Sequence, residues 1–323
     1  MQTIREVGEE VLRTGQGISK ETAYCLLEIP DSEILYLAHV ANQVRGRFMG
    51  KKVDLCTLIN AKSGRCSEDC SFCSQSKHHS TGVAEYEFIS VEQIVEAAKS
   101  AEKNGVHEFC IVAAWKAIPN EIFPKIKEAV TAVRQNTRLE VTCSLGFLTE
   151  QQALELKEAG ANKYNHNLES AASYYNNVCT THTHQQRMET IEQIHQAGLE
   201  SCCGGIIGMG ETPRQRVDLA FEWRSLGVGC VPVNLLNPRP GTPLENIPPL
   251  APLEIIKTIA IFRLILPKAV IKVAGGRERN LRDLQAMALM AGANGLIVGN
   301  YLTTLGRDPE EDLQMIQDLG LTV

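Results

Sequence analysis

No apolar stretch in this chain approaches the ~20 residues that a membrane span requires. The opening residues, Met1 to Glu10, carry charge from the outset and lack the apolar stretch of a secretory signal. Positive charge is also scarce. Lys and Arg number 32 against 38 Asp and Glu, a net charge of -6, which argues against a nucleic-acid surface. No low-complexity linker divides the chain, so one domain is expected, although 323 residues alone would suggest about two.

What is present is an ordinary globular composition, 44% hydrophobic and 22% charged. Eleven cysteines without an export signal point to a reducing cytoplasm. There, specially spaced cysteines mean metal or catalysis more often than disulfides.

Residues 1–45 read as helices that would pack on the rest; Ser32 to Ala41 has apolar positions at helical spacing. From 46 to 323, short β-branched runs alternate with amphipathic helical segments. Eight such runs predict strands: Val53–Ile59, Glu108–Ala113, Leu139–Leu145, Asn162–His166, Glu200–Ile207, Gly229–Leu235, Ala269–Val273 and Gly295–Val298. Ser90 with Gln93 forms a capping-box pattern before one helix. Gly105, Gly160, Gly198 and Gly227 follow helices as C-cap glycines do. Eight strand-helix units predict an α/β fold closed as a (β/α)8 TIM-type barrel with an N-terminal helical extension and a C-terminal tail. An open doubly wound sheet is the runner-up. In a barrel the active site lies at the C-terminal ends of the strands.

Cys66-Ser-Glu-Asp-Cys70-Ser-Phe-Cys73 falls on the loop after the first strand. Three thiolates cannot supply a terminal ligand to each iron of a four-iron cluster, so one iron stays open for chemistry. Structural zinc closes its tetrahedron with a second pair, and none follows at finger spacing. The C-x3-C-x2-C spacing is that of the radical S-adenosylmethionine (SAM) enzymes, in which the open iron holds SAM.

The chain resembles the biotin synthase family over nearly its whole length. The likeness is carried by Asn60 to Ser76, Ala113-Ala-Trp-Lys116, Tyr164-Asn-His-Asn-Leu-Glu169, Gly204 to Thr212, Pro232-Val-Asn234, Gly241-Thr-Pro-Leu244, Gly276-Arg-Glu278 and Ala291-Gly-Ala-Asn294. It implies SAM-dependent sulfur insertion into dethiobiotin. A [4Fe-4S] cluster on Cys66, Cys70 and Cys73 would cleave SAM with an electron from a flavodoxin or ferredoxin. The 5′-deoxyadenosyl radical would then abstract hydrogen, and an auxiliary cluster would give up the sulfur. A homodimer is also implied.

The same likeness assigns Phe72 to the adenine and Glu169 to the ribose hydroxyls. Arg187 can form a charge-assisted pair with the SAM carboxylate. Gly204 and Gly205 would let backbone approach a ligand. Asn165, Asn167 and Asn234 offer amide donors and acceptors to a ureido ring, and Asn167 could serve both ligands. His166 stays unassigned.

The auxiliary site departs from the family's pattern, which sets cysteines on strands two, three and five and an arginine on strand seven. Cys110 and Cys202 occupy two seats, but the strand-three seat is Thr142 and the arginine seat is Lys272. Cys143 lies one place along, where alternation turns it out of the barrel. Lysine replaces the charge of arginine without its planar fork. On strand six, Cys230 shares a face with Pro232 and Asn234 and lies ~13 Å deeper than Asn234. Cys110, Cys202 and Cys230 are therefore the expected auxiliary ligands, with Cys143 and Cys203 as alternates. The cluster could be a two-iron or a four-iron type with an extra sulfide. Cys25, Cys56 and Cys179 read as core or structural.

Two rivals stand beside this reading. One is a sister radical enzyme of similar barrel, of the hydrogenase-maturation or methylornithine-forming type. The other is a non-catalytic iron–sulfur sensor, which would have little use for a SAM cradle.

Overall fold

The computed structural model describes residues 3–323; Met1 and Gln2 lie outside the described residues. Nine strands form one parallel sheet: β1 (Asp54–Lys62), β2 (Glu108–Ala113), β3 (Glu140–Ser144), β4 (Lys163–Asn165), β5 (Glu200–Cys202), β6 (Gly205–Ile207), β7 (Cys230–Leu235), β8 (Val270–Val273) and β9 (Gly295–Ile297). Their order is β5-β4-β3-β2-β1-β9-β8-β7-β6, and a β5–β7 pairing closes the ring. Closure excludes the open doubly wound sheet. The run predicted as one strand, Glu200–Ile207, is interrupted at Cys203-Gly204 and becomes β5 and β6. Both halves pair with β7, so they are one barrel stave in two pieces. The barrel therefore has eight staves.

Helices α1 (Ile4–Thr14), α2 (Lys20–Leu27) and α3 (Ile34–Met49) precede the barrel. Around it lie α4 (Val91–Lys103), α5 (Phe123–Asn136), α6 (Glu150–Glu158), α7 (His184–Gln196), α8 (Pro213–Ser225) and α9 (Pro252–Ile265). Then follow α10 (Arg277–Leu281), α11 (Gln285–Met290) and α12 (Pro309–Asp318). The expected capping box is present: Ser90 accepts from the Gln93 amide, and Gln93 reaches back to Ser90. Four more helices start the same way, at Thr3, Thr149, Thr183 and Thr212. Each cap satisfies amides that the first turn leaves unpaired.

α9 is apolar on nearly every face because it is covered twice, by the barrel inside and by α3 outside. Ile259 is fully buried there, and its truncation to alanine would cost about 2–5 kcal/mol. α1 crosses α3 so closely that a Cβ at Gly8 would collide with Val40. The helical extension thus runs four residues beyond the expected end at 45 and is packed, not loose. Among the described residues, no helix is long and apolar enough to cross a membrane.

Register decides which side chains face the barrel interior. Cys56 pairs with Glu108, Leu58 with Cys110, Cys110 with Thr142, and Asn165 with Cys202. Alternation then sends Cys56, Glu108, Cys110, Thr142, Asn165 and Cys202 inward.

Candidate active site

A cavity of about 340 Å³ runs from the C-terminal mouth of the barrel toward its floor. Cys66, Cys70 and Cys73 line its upper end. Their loop leaves β1 through Gly64 and Arg65, both at positive φ (76° and 54°). It folds back on itself: Cys66 N–H donates to the Gln75 carbonyl at 2.9 Å, and Lys77 N–H donates to the Cys66 carbonyl at 2.8 Å. The loop is pinned to the segment before α7, where Ser71 N–H donates to the Val178 carbonyl at 2.8 Å. The Asp69 carboxylate accepts from the Thr180 and Thr181 amides at 2.9 and 3.2 Å. Burial opposes the charge of Asp69, yet these donors and the Thr180 and Cys179 side chains hold it below the usual carboxylate range.

Burial pushes the Cys66 thiol up and the Cys73 thiol to about 11. Cys70 is pushed up first by its hydrogen bond with Cys179 and then by burial. Thiols of this kind lose their protons to a metal ion. Three on one short loop beside a cavity suit a cluster with one open iron.

The residues expected to hold SAM converge beside this loop. Phe72 packs on Tyr175 and Cys179 and lines the cavity. Glu169 lines it too, in the left-handed region (φ 66°) that non-glycine residues seldom adopt. Backbone pairing with Gly205 holds it there, since Ile206 N–H donates to the Glu169 carbonyl at 2.8 Å. Burial raises the Glu169 carboxyl, and Arg187 at 3.9 Å opposes that rise. Arg187, on α7, is fixed by three acceptors: Tyr175 Oη at 2.5 Å, His182 Nε2 at 3.1 Å and the Asn167 carbonyl at 2.8 Å. His182 in turn donates from Nδ1 to Glu68. An arginine held this rigidly can present a fixed charge to a carboxylate.

Gly204 and Gly205 serve a different purpose from the one expected. Neither lines the cavity. A Cβ at Gly204 would collide with the Pro232 carbonyl, and one at Gly205 would lie 2.7 Å from the Glu169 carbonyl. The pair lets the broken fifth stave pack against its neighbours, while Gly204 N–H donates to Asn167 Oδ1 at 3.0 Å.

Asn165, Asn167 and Asn234 all line the cavity. Asn165 Nδ2 lies 3.4 Å from both Asn167 Oδ1 and Cys202 Sγ. Asn234 is engaged on both sides, accepting from Gly275 N–H at 3.0 Å and donating to the Gly205 carbonyl at 3.4 Å. His166 is buried beneath Phe147 (ring centroids 4.9 Å apart), and its Nε2 has no protein partner. Burial, reinforced by Arg187 and His182, keeps its ring neutral.

At the barrel floor, Cys110 and Cys202 line the cavity, and Cys202 Sγ lies 3.3 Å from Cys230 Sγ across the closing pair. The alternates do not belong there. Cys143 and Cys203 are fully buried in the aliphatic core, Cys143 on the outward face of β3 and Cys203 at the break between β5 and β6. Thr142 takes the inward place and donates to Glu108 Oε1 at 2.8 Å.

Lys272 is buried, 2.7 Å from Glu108 Oε2 and 2.8 Å from Asp54 Oδ1. Burial opposes its charge, while Cys230, Cys56, Glu108 and Asp54 favour it and hold the ammonium above its ordinary value. Lys163 adds a second ammonium 3.0 Å from Glu108.

Sequence reasoning missed this ion network. Its signal was Glu108 itself, two residues before Cys110 at the start of an otherwise apolar strand. The three thiols read as core or structural divide, since Cys56 and Cys179 are buried and Cys25 is not. Cys25 is exposed on α2. Cys56 lines the cavity beside Glu108. Cys179 contacts Asp69 Oδ1 at 3.0 Å and His182 Nδ1 at 3.2 Å, and lies within ligand reach of Cys70.

Comparison with known proteins agrees with this geometry. A Radical SAM superfamily model matches residues 61–222, and a Biotin and Thiamin Synthesis associated domain model matches residues 232–322. The biotin synthase of Carboxydothermus hydrogenoformans is 50% identical, covering 98% of this chain and 97% of its own. That of Geobacter sulfurreducens is 51% identical, covering 96% and 94%. Among solved structures, a methylornithine synthase superposes with a TM-score of 0.85 at 22% identity, covering 98% of this chain and 96% of its own. An [FeFe]-hydrogenase maturase gives 0.84 at 16%, covering 98% and 74%. At such identities these two show the fold alone. Half-identical relatives aligned from end to end, with both models matched in order, show that the chain belongs to the biotin synthase family of radical SAM enzymes.

Proposed function

We propose that this protein converts dethiobiotin to biotin by radical SAM-dependent sulfur insertion. One observation carries the reading: a single cavity has three loop thiols at its mouth, further thiols at its floor and asparagine amides between them. The groups bound at the two ends supply low-potential electron transfer to SAM and a sulfur atom, respectively. Everything else falls to the chain.

Cys66, Cys70 and Cys73 hold a [4Fe-4S] cluster, and Cys110, Cys202 and Cys230 hold an auxiliary iron–sulfur cluster. Phe72 covers the adenine, Glu169 accepts from the ribose hydroxyls and Arg187 fixes the carboxylate. Asn165 and Asn167 face the ureido ring. Asn234, with its amide engaged to Gly275 and Gly205, shapes that wall and keeps the strand ends in register. The apolar rings of Phe147 and Phe72 keep water from the space between. The electron donor is a flavodoxin or ferredoxin. The protein works as a homodimer in the cytoplasm.

The experiment is anaerobic incubation with a reductant, SAM and dethiobiotin, measuring 5′-deoxyadenosine and biotin together. Both products appear if the reading is right. Deoxyadenosine without biotin would overturn it and leave a sister radical enzyme of the same barrel.

A further inference from the structure

We infer that Cys56 is a fourth thiolate ligand of the floor site, which takes an iron–sulfur cluster through Cys56, Cys110, Cys202 and Cys230. The inference rests on the reading above that the last three hold an auxiliary cluster.

Topology makes the first argument. Around the closed ring, β1 and β2 are neighbours, as are β5 and β7, and β5 stands four places round from β1, as β7 does from β2. In an eight-stave barrel those pairs face each other. Cys56 and Cys110 therefore stand on one wall, and Cys202 and Cys230 on the opposite one. The result is a four-point cradle across the barrel axis, and without Cys56 one wall has a single ligand.

The setting of Cys56 makes the second. Free cysteine commonly serves as a small hydrophobe, and Cys143 and Cys203 do so within the aliphatic core. Cys56, Cys110, Cys202 and Cys230 are equally buried but stand outside that core. Among the described residues the Cys56 thiol makes one hydrogen bond, a weak one at 3.5 Å to the carbonyl of Thr57.

Charge and spacing make the third. The Lys272 ammonium, anchored by Glu108 and Asp54, places a fixed cation beside Cys56 and Cys230, where a thiolate-bound cluster brings negative charge. The spacing also selects the kind of ligand. Tetrahedral zinc draws its ligand atoms into close mutual contact, with Zn–S near ~2.3 Å. Among the described residues, the only His/Cys/Asp/Glu group whose ligand atoms all lie within 4.8 Å of one another is Cys70, Cys179 and His182. Cys202 and Cys230 lie 3.3 Å apart, but no three of the floor thiols are drawn so close together, which leaves space toward Cys56 and Cys110 for the body of a cluster.

The test uses the full chain with Cys66, Cys70 and Cys73 all changed to alanine, so that bound iron reports on the floor. After anaerobic reconstitution, iron, sulfide and the Mössbauer spectrum are compared with and without Cys56→Ser, and separately Cys56→Ala. We expect either change to lower iron and sulfide by more than half, or to give one iron site new Mössbauer parameters. Cys143→Ala should alter neither. Unchanged iron, sulfide and spectrum in both Cys56 variants would overturn the inference. Cys110→Ala separates the two levels: if it loses the iron and the Cys56 variants do not, only the role of Cys56 fails. If Cys110→Ala also keeps the iron, the auxiliary-site reading itself fails. Circular dichroism of the metal-free variants shows whether each has folded.

Discussion

Lys272 Nζ lies 2.7 Å from Glu108 Oε2 at the floor of the barrel, both side chains being 2% exposed. Neither would be stable there alone, because an isolated charge loses its hydration on burial. Removing Glu108 takes away the nearer and more deeply buried of the two carboxylates on Lys272 and leaves it only Asp54. Glu108→Gln should therefore destabilise the protein by about 3–5 kcal/mol. Glu108→Gln combined with Lys272→Met should cost less than the two single changes added together, and thermal unfolding of the three variants checks this.

The same carboxylate gives a pH dependence. Burial alone would raise Glu108, but Lys272 and Lys163 hold it at about 2 against an ordinary 4.5. A depressed folded value stabilises above the ordinary one, and that stability is lost as pH falls toward the folded one. The stability difference between wild type and Glu108→Gln should therefore shrink from about pH 5 to about pH 3. A constant difference across that range would mean that Glu108 is not the charged partner.

Lys272→Arg should impair biotin formation. The lysine stem runs so close to Gly295 that a Cβ there would lie 2.5 Å from Lys272 Cγ. A guanidinium is larger than an ammonium, so overpacking at this site should cost about 1–3 kcal/mol. Gly295→Ala should harm the same site. Full activity in Lys272→Arg would sink the idea that lysine is matched to this floor.

Arg187 has its three acceptors within the protein, so its direction is set before any ligand arrives. Arg187→Ala should weaken SAM binding about tenfold or more, the scale of one charged hydrogen bond. Arg187→Lys should recover only part of this. Equilibrium dialysis with labelled SAM gives the answer directly.

Glu169 offers a way to separate strain from binding. At φ 66°, glycine is relaxed and alanine is strained by about 1 kcal/mol. Glu169→Gly should therefore be more stable than Glu169→Ala, while both lose deoxyadenosine production. Equal stability would show that the backbone relaxes at this position.

Much of the fold was legible in the chain. The run Glu108–Ala113 matches β2 to the residue, and the ends of the other seven runs lie within three residues of the strands. The Ser90 cap was also foreseen. Period and capping are local, so sequence carries them. The break at Cys203-Gly204 was not legible, because it depends on how closely Pro232 and Glu169 approach that segment. Likewise, the inward place of Thr142 and the outward one of Cys143 follow from alternation, but the fate of Cys203 depends on the break between β5 and β6.

The sequence by itself determined the three-cysteine loop and the order of strands and helices. It also determined the family, because thiolate spacing and hydrophobic period act over a few residues. Only the tertiary structure decided which buried thiols and charges meet. Cys202 with Cys230, and Lys272 with Glu108, are brought together by the barrel across as many as 164 positions, from Glu108 to Lys272. Register and closure are properties of the whole ring, and no single segment encodes them.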